Sequence, residues 1–267
     1  MIRLIFSDMD GTLLDENGAL PAGFGTMYER LKERGIRFAP ASGRQYASLV
    51  RTFAPWQDEM IFLAENGTLV MEGGRELFAA PVDPALGLRV MQTGEALQGV
   101  YSVYCGKKQG YIHRADDVPA FRAELEKYVT KSMVTEDFAA VDDVPIKMAF
   151  FDPSGHADTT ILPVMEQYAD RMQVTLSSAL WVDVYAQGVS KGVAAARVQE
   201  HLGVTPDECA AFGDYGNDLE LMDAVTYSFA MANAIPAVQE RARYRAPSNG
   251  EHGVMAVCER ILAGEFD

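Results

Sequence analysis

Hydrophobic and polar positions along the chain fall into two rhythms. In the first, short apolar runs each end in small or polar residues. Ile2, Leu4, Ile5 and Phe6 lead into Ser7-Asp8-Met9-Asp10-Gly11-Thr12, residues 36–41 lead into Ser42-Gly43-Arg44, and residues 60–64 lead into Glu65-Asn66-Gly67. A continuous apolar run of this length is a strand buried on both faces. Between the runs, residues 24–34 show helical periodicity stopped by Gly35, a second helical stretch follows Arg44 as far as Phe53, and residues 68–78 form a hairpin-like piece. Strands alternating with helices predict a doubly wound parallel sheet of the Rossmann-like α/β class.

The rhythm changes after Pro81. Helical patterns over 84–97, 118–129 and 159–170 are mixed with strand patterns over 100–105, 110–113, 146–151, 173–177 and 181–185. Adjacent strands joined by turns such as Gly106-Lys107-Lys108-Gln109 predict an antiparallel α+β unit, inserted over 82–186 into a first unit formed by 1–81 and 187–267. The first rhythm then resumes. Ser190 caps a helix that starts at Lys191 and is stopped by Gly203, and a strand over 209–212 runs into Gly213-Asp214-Tyr215-Gly216-Asn217-Asp218 before a helix reaching Met222. A strand over 227–231, a helix with Pro236 in its first turn and a last helix over 254–262 complete the pattern.

Composition narrows the partners. A formal net charge of −15 argues against nucleic acid or an anionic membrane surface, and no apolar run approaches the ~20 residues of a membrane span. An anionic substrate would therefore need local cations. Three cysteines, Cys105, Cys209 and Cys258, are an odd number without paired spacing, which fits reduced thiols in a cytoplasmic protein.

Four polar clusters stand at strand ends or helix starts: Asp8 with Asp10, Ser42-Gly43-Arg44, Lys191, and Asp214 with Asn217 and Asp218. Ligands of open α/β sheets bind beyond the carboxyl ends of the strands, so these clusters are expected to meet there. On an extended backbone Asp8 and Asp10 would point to the same side about 7 Å apart, within reach of one Mg²⁺. The set meets the needs of phosphoryl transfer, which are an in-line nucleophile, a metal and fixed donors for the phosphoryl oxygens. Asp8 is ionised at neutral pH and can attack. Asp214 can complete the Mg²⁺ site, Ser42 and Asn217 can donate to phosphoryl oxygens, and Lys191 can supply positive charge, although a cation in a first helical turn opposes the helix dipole. Asp10 would be the acid and base, with its backbone carbonyl rather than its carboxylate facing the metal. Each cluster also has a plainer reading. Asp8 to Thr12 can be a solvated turn, Arg44 can pair with a carboxylate instead of substrate, and Asp218 can be a favourable helix-start charge. Tyr101, Tyr104, Tyr111, His113, Trp181 and Tyr185 can line a pocket or pack the insert's sheet.

Taken in order, Asp8-Met9-Asp10-Gly11-Thr12, Ala41-Ser42-Gly43-Arg44, Lys191 and Gly213-Asp214-Tyr215-Gly216-Asn217-Asp218 resemble the four motifs of the haloacid dehalogenase superfamily. The insert resembles the type-IIB cap of its Cof-like phosphatases. Ala64-Glu65-Asn66-Gly67 and the stretch from Met231-Ala232-Asn233-Ala234 to Ser248-Asn249-Gly250 are also similar to that subfamily. The resemblance implies Asp8 as nucleophile through an aspartyl-phosphate, Asp10 as acid/base, and Mg²⁺ on Asp8, Asp10 and Asp214. It also implies phosphate contacts from Ser42, Lys191 and Asn217. The expectation is a Mg²⁺-dependent phosphatase of a small phosphorylated metabolite, such as a sugar phosphate. A phosphomutase of the same superfamily and a receiver-like phospho-acceptor are the rivals. The receiver is disfavoured by Asp10, because a slow switch has no use for a general acid.

Overall fold

A computed structural model describes residues 1–266. In chain order the first unit begins with β1 (Leu4–Ser7), α1 (Phe24–Glu33), β2 (Arg37–Pro40), α2 (Tyr46–Thr52), β3 (Ile61–Ala64), β4 (Leu69–Glu72) and β5 (Arg75–Ala79). The next segment carries α3 (Pro84–Glu95), β6 (Tyr101–Gly106), β7 (Gly110–His113), α4 (Pro119–Tyr128), β8 (Ser132–Thr135), β9 (Pro145–Phe151), α5 (Ala157–Thr160), α6 (Leu162–Met165), β10 (Met172–Leu176) and β11 (Trp181–Ala186). The chain closes with α7 (Lys191–Leu202), β12 (Cys209–Gly213), α8 (Leu219–Asp223), β13 (Tyr227–Met231), α9 (Pro236–Arg241), β14 (Tyr244–Ala246) and α10 (Gly253–Leu262).

Strands β14-β13-β12-β1-β2 form one parallel sheet in which β1 is an interior strand beside the edge strand β2, with Leu4 opposite both Cys209 and Arg37. Leu4, Ile5 and Phe6 are wholly buried, as a strand covered by helices on both faces requires. The third apolar strand does not extend that sheet as a full member. After a single parallel bridge, Ala41 to Leu63, β3 turns into an antiparallel sheet with β4 and β5.

The segment between β5 and α7 builds a separate six-stranded sheet, ordered β10-β11-β9-β6-β7-β8 and antiparallel except for the β7–β8 pair. Met148, Phe150, Val182 and Val184 pack on α3 from one face, while Phe151 and Trp181 pack with Phe121 and Leu125 of α4 on the other. The uncovered part of that second face, with Lys147 and Asp183, lies over the strand ends of the parallel sheet.

Two strands were not predicted from the sequence. Both β8 and β14 are short edge strands with largely solvent-facing residues, so neither has an apolar run to mark it. The helix expected over 159–170 is broken into α5, α6 and a 3₁₀ turn over 166–168, since Pro163 has no N–H to continue the ladder. Helix α7 matches expectation at both ends: Ser190 Oγ accepts from the Val193 N–H, and Gly203 closes it in the left-handed conformation at φ +62°. Among the described residues no helix is long and apolar enough to cross a membrane.

Candidate active site

The chain leaves β1 at Ser7, and Asp8 is the first residue beyond the sheet, buried with an extended backbone. The strand does not continue to Asp10. Residues 9–13 curl into a tight turn in which Gly11 takes φ +76°. This corrects the expectation of two carboxylates on one face of an extended backbone. Asp10 swings to Arg44, which donates from Nε at 2.7 Å and Nη2 at 2.5 Å to its two carboxylate oxygens. Arg44 is itself held over the ring of Tyr128, 5.4 Å from guanidinium carbon to centroid. The carboxylate-pairing reading of Arg44 is the one the structure adopts.

The cluster that forms around Asp8 contains Asp214 and Asp218, with one carboxylate oxygen from each lying within 4.8 Å of the others. Asp214 stands at the carboxyl end of β12, beside β1, and its Oδ1 accepts from Thr12 Oγ1 at 2.8 Å. Gly11 is needed for this approach, because a Cβ there would lie 2.4 Å from Asp214 Oδ2. Asn233 Nδ2 holds the Gly11 carbonyl at 2.7 Å and Asn249 Nδ2 holds that of Leu14 at 3.0 Å, so the turn is braced from the C-terminal strand ends.

Lys191 enters from the start of α7. Its side chain is wholly buried, with Nζ 2.5 Å from Asp8 Oδ1 and 2.7 Å from Asp218 Oδ1. Burial works against its charge, but Asp218 and Asp8 together hold it above the usual lysine range. The ammonium thus stands beside Asp8 at the carboxyl ends of the strands, bridging it to Asp218. Asp218 is a brace. One oxygen takes Lys191, and the other accepts from the backbone N–H groups of Asp214 and Tyr215 at 3.0 and 3.3 Å.

Three carboxylates face one ammonium, which leaves two negative charges without a partner. Burial, with Asp218 and Asp214, pushes Asp8 upward against the pull of Lys191. Burial and Asp218 push Asp214 up to about 7, offset in part by the Thr12 hydroxyl. A buried, oxygen-only donor set that is short of two positive charges fits a hard divalent cation. Since both oxygens of Asp218 are engaged, Asp8 and Asp214 are the carboxylates with an oxygen to offer it.

The cleft in front of Asp8 is lined on the catalytic side by Asp10, Ser42, Gly43, Arg44, Tyr215 and Asn217. Ser42 Oγ accepts from the Arg44 N–H at 3.1 Å and keeps its own proton to donate. From the insert come Tyr128, Lys147, Trp181 and Asp183. Of the six insert residues singled out from sequence, Trp181 alone lines this cleft, while Tyr185 is packed in the interior. Tyr128, Lys147 and Asp183 were missed. The signal for the last two was available: a single charge inside each of the apolar strands Pro145–Phe151 and Trp181–Ala186.

The description of haloacid dehalogenase-like hydrolases matches residues 5–257 of this chain. The chain is 31% identical to 5-amino-6-(5-phospho-D-ribitylamino)uracil phosphatase YbjI of Escherichia coli (strain K12), with 99% of this chain and 97% of that protein covered. Among solved structures, SMU.1108c of Streptococcus mutans UA159 superposes with a TM-score of 0.90 at 26% identity, covering 98% of this chain and all of that one. The subclass IIB sugar phosphatase BT4131 shares the fold with a TM-score of 0.82 at 19% identity, covering 97% and 98% of the two chains.

Proposed function

We propose that this chain, which belongs to the haloacid dehalogenase-like hydrolases of the Cof type, is a Mg²⁺-dependent phosphatase that hydrolyses a small phosphorylated metabolite through an aspartyl-phosphate. The observation that carries this reading is the buried cluster of Asp8, Asp214 and Asp218 around one lysine. It sets a carboxylate of nucleophilic character at the mouth of a cleft and lacks the charge that a divalent cation and a phosphate site would bring. Mg²⁺, held by Asp8, Asp214 and the backbone carbonyl of Asp10, would neutralise charge on the phosphoryl oxygens.

In the proposed reaction an Asp8 carboxylate oxygen attacks phosphorus in line, and the bond from phosphorus to the leaving oxygen breaks. Asp10 gives its proton to that oxygen, then takes one from the water that attacks phosphorus and restores Asp8. Ser42 and Asn217 donate to phosphoryl oxygens, the Gly43 backbone lies beside them, and Lys191 fixes the orientation of Asp8. Arg44 holds both Asp10 oxygens in the structure, so one of them leaves the guanidinium before Asp10 carries the proton it gives. Residues 1–81 and 187–267 act as the catalytic unit, and 82–186 as a cap that excludes water and selects the leaving group. The relative from Escherichia coli is named for a phosphate ester on a ribityl chain joined to a uracil, which supports a small-metabolite monoester here. Three buried, unpaired cysteines support a cytoplasmic setting.

The test is a panel of phosphorylated metabolites assayed for free phosphate with Mg²⁺ and with excess chelator. Release that depends on Mg²⁺ and disappears in Asp8→Asn supports the reading, and full activity in chelator overturns it. A phosphomutase would instead return the phosphoryl group to a sugar, visible as a new sugar phosphate without free phosphate.

A further inference from the structure

The turn Glu65-Asn66-Gly67 has no role in the chemistry above, yet it is strained and buried. Glu65, Asn66 and Gly67 take φ of +51°, +59° and +89°, and the first two are not glycine. Glu65 and Asn66 are 1% and 0% exposed. Strain of this kind persists only where the surroundings over-determine it.

Those surroundings are the catalytic loops and the cap together. The Glu65 N–H donates to the Arg44 carbonyl and the Asn66 N–H to the Ser42 carbonyl, both at 3.0 Å. Asn217 Nδ2 donates to Asn66 Oδ1 at 3.1 Å. A Cβ on Gly67 would lie 2.6 Å from the Ser190 carbonyl, so the turn also presses on the start of the helix that carries Lys191. From the cap, Asp183 Oδ2 accepts from Asn66 Nδ2 at 2.6 Å, and Lys147 Nζ lies 2.7 Å from Glu65 and 2.7 Å from the Gly43 carbonyl. The Glu65 carboxylate makes no hydrogen bond of good geometry in the structure, so the Lys147 charge is its counterpart.

We infer that this turn couples cap docking to the phosphate site: Lys147 and Asp183 are positioning residues that, through Glu65 and Asn66, set Ser42 and Asn217 where a phosphoryl group needs them. The inference rests on the proposed phosphatase reading. It makes the phosphate site of the catalytic unit depend on cap residues that touch no phosphate themselves.

The experiment uses the full chain with two probes that have little or no leaving group to contact the cap. Inorganic phosphate serves as a competitive inhibitor and acetyl phosphate as a substrate. Lys147→Met and Asn66→Gly should each weaken phosphate inhibition and lower kcat on acetyl phosphate by about 10- to 100-fold, the scale of a misplaced positioning group. Because both act through one turn, the double variant should be little worse than the poorer single one. If Lys147→Met does not melt cooperatively, Asn66→Gly carries the test, since glycine relaxes the left-handed backbone and leaves both charged partners in place. Folded variants that keep phosphate inhibition and acetyl phosphate kcat within about twofold of the parent, while changing KM for larger esters, would show direct leaving-group contacts and overturn the inference. Absence of phosphate release by the parent chain from every ester would instead count against the phosphatase reading.

Discussion

Among the described residues two lysines are buried, each between carboxylates, and they are not alike. Lys191 sits between Asp8 and Asp218 with Asp214 close by, and the cluster opens on the cleft through Asp8. Lys147 sits between Glu65 and Asp183, takes the Gly43 carbonyl as well, and is enclosed by Asn66 and Ser177, which both donate to Asp183. The second cluster is short of one positive charge, and its hydrogen bonds run outward to Gly43 and Asn217 of the neighbouring loops. The first is short of two positive charges and keeps carboxylate oxygens free. Buried ion pairs add little net stability over apolar packing, so the contrast lies in what each leaves unsatisfied. The larger deficit of charge marks the place for a cation and a reacting phosphate, whereas a network tied to both units marks a joint.

The comparison breaks most directly at Asp8. Asp8→Asn removes the nucleophile and should lower turnover by about 10⁴-fold or more, with the melting temperature held or raised because a buried negative charge is gone. A variant within about tenfold of the parent in phosphate release would remove the chemical meaning of the first cluster. Next in size, Asp10→Asn should slow turnover by roughly 10²- to 10⁴-fold, with the deeper loss on alkyl esters because they need a protonated leaving oxygen. Matched losses on aryl and alkyl phosphates would contradict that role.

Stability sharpens the contrast further. Replacing either lysine by Met strands buried carboxylates and should cost about 3–5 kcal/mol. Mg²⁺ should recover much of the loss in Lys191→Met and little in Lys147→Met, read as melting temperature with and without the ion. Equal rescue of the two would show that the clusters do not differ in kind. The smallest effect is a pH dependence of the metal-free protein. Asp214 is held up near 7 when folded, from an ordinary value of 3.8. The stability it contributes is complete below about pH 4 and is lost as pH rises through 7. From pH 6 to 8 the metal-free melting temperature should therefore fall by about 2–4 °C for each kcal/mol lost, and Mg²⁺ should raise it more at pH 8 than at pH 6. A metal-free melting temperature that rises over that range would contradict the assignment.

Much of the architecture was legible because each core strand is a run of buried apolar residues closed by a polar loop, and β1, β12 and α7 were read with ends close to those observed. The edge strands β8 and β14 were not legible, since half-exposed residues give no period. At the site, sequence order brought Asp8, Ser42, Asn217 and Asp214 to one set of strand ends. It could not show that a turn at Gly11 would divert Asp10 to Arg44, or that Asp218 would share the Lys191 ammonium with Asp8. Lys147 and Asp183 went unread because their partners lie some 80 and 120 positions away on the other unit, a pairing that no local pattern encodes.

The place of β1 in its sheet has a consequence for synthesis. One edge of β1 finds β2 soon after it is made, but the other edge waits for β12, with the whole six-stranded insert translated in between. The insert can complete its own sheet from contiguous chain during that interval, while an apolar interior strand stays open to the solvent and to other nascent chains. The half of the molecule that begins first is thus the last to close, and the growing chain is most vulnerable to aggregation between the emergence of Pro40 and that of Cys209.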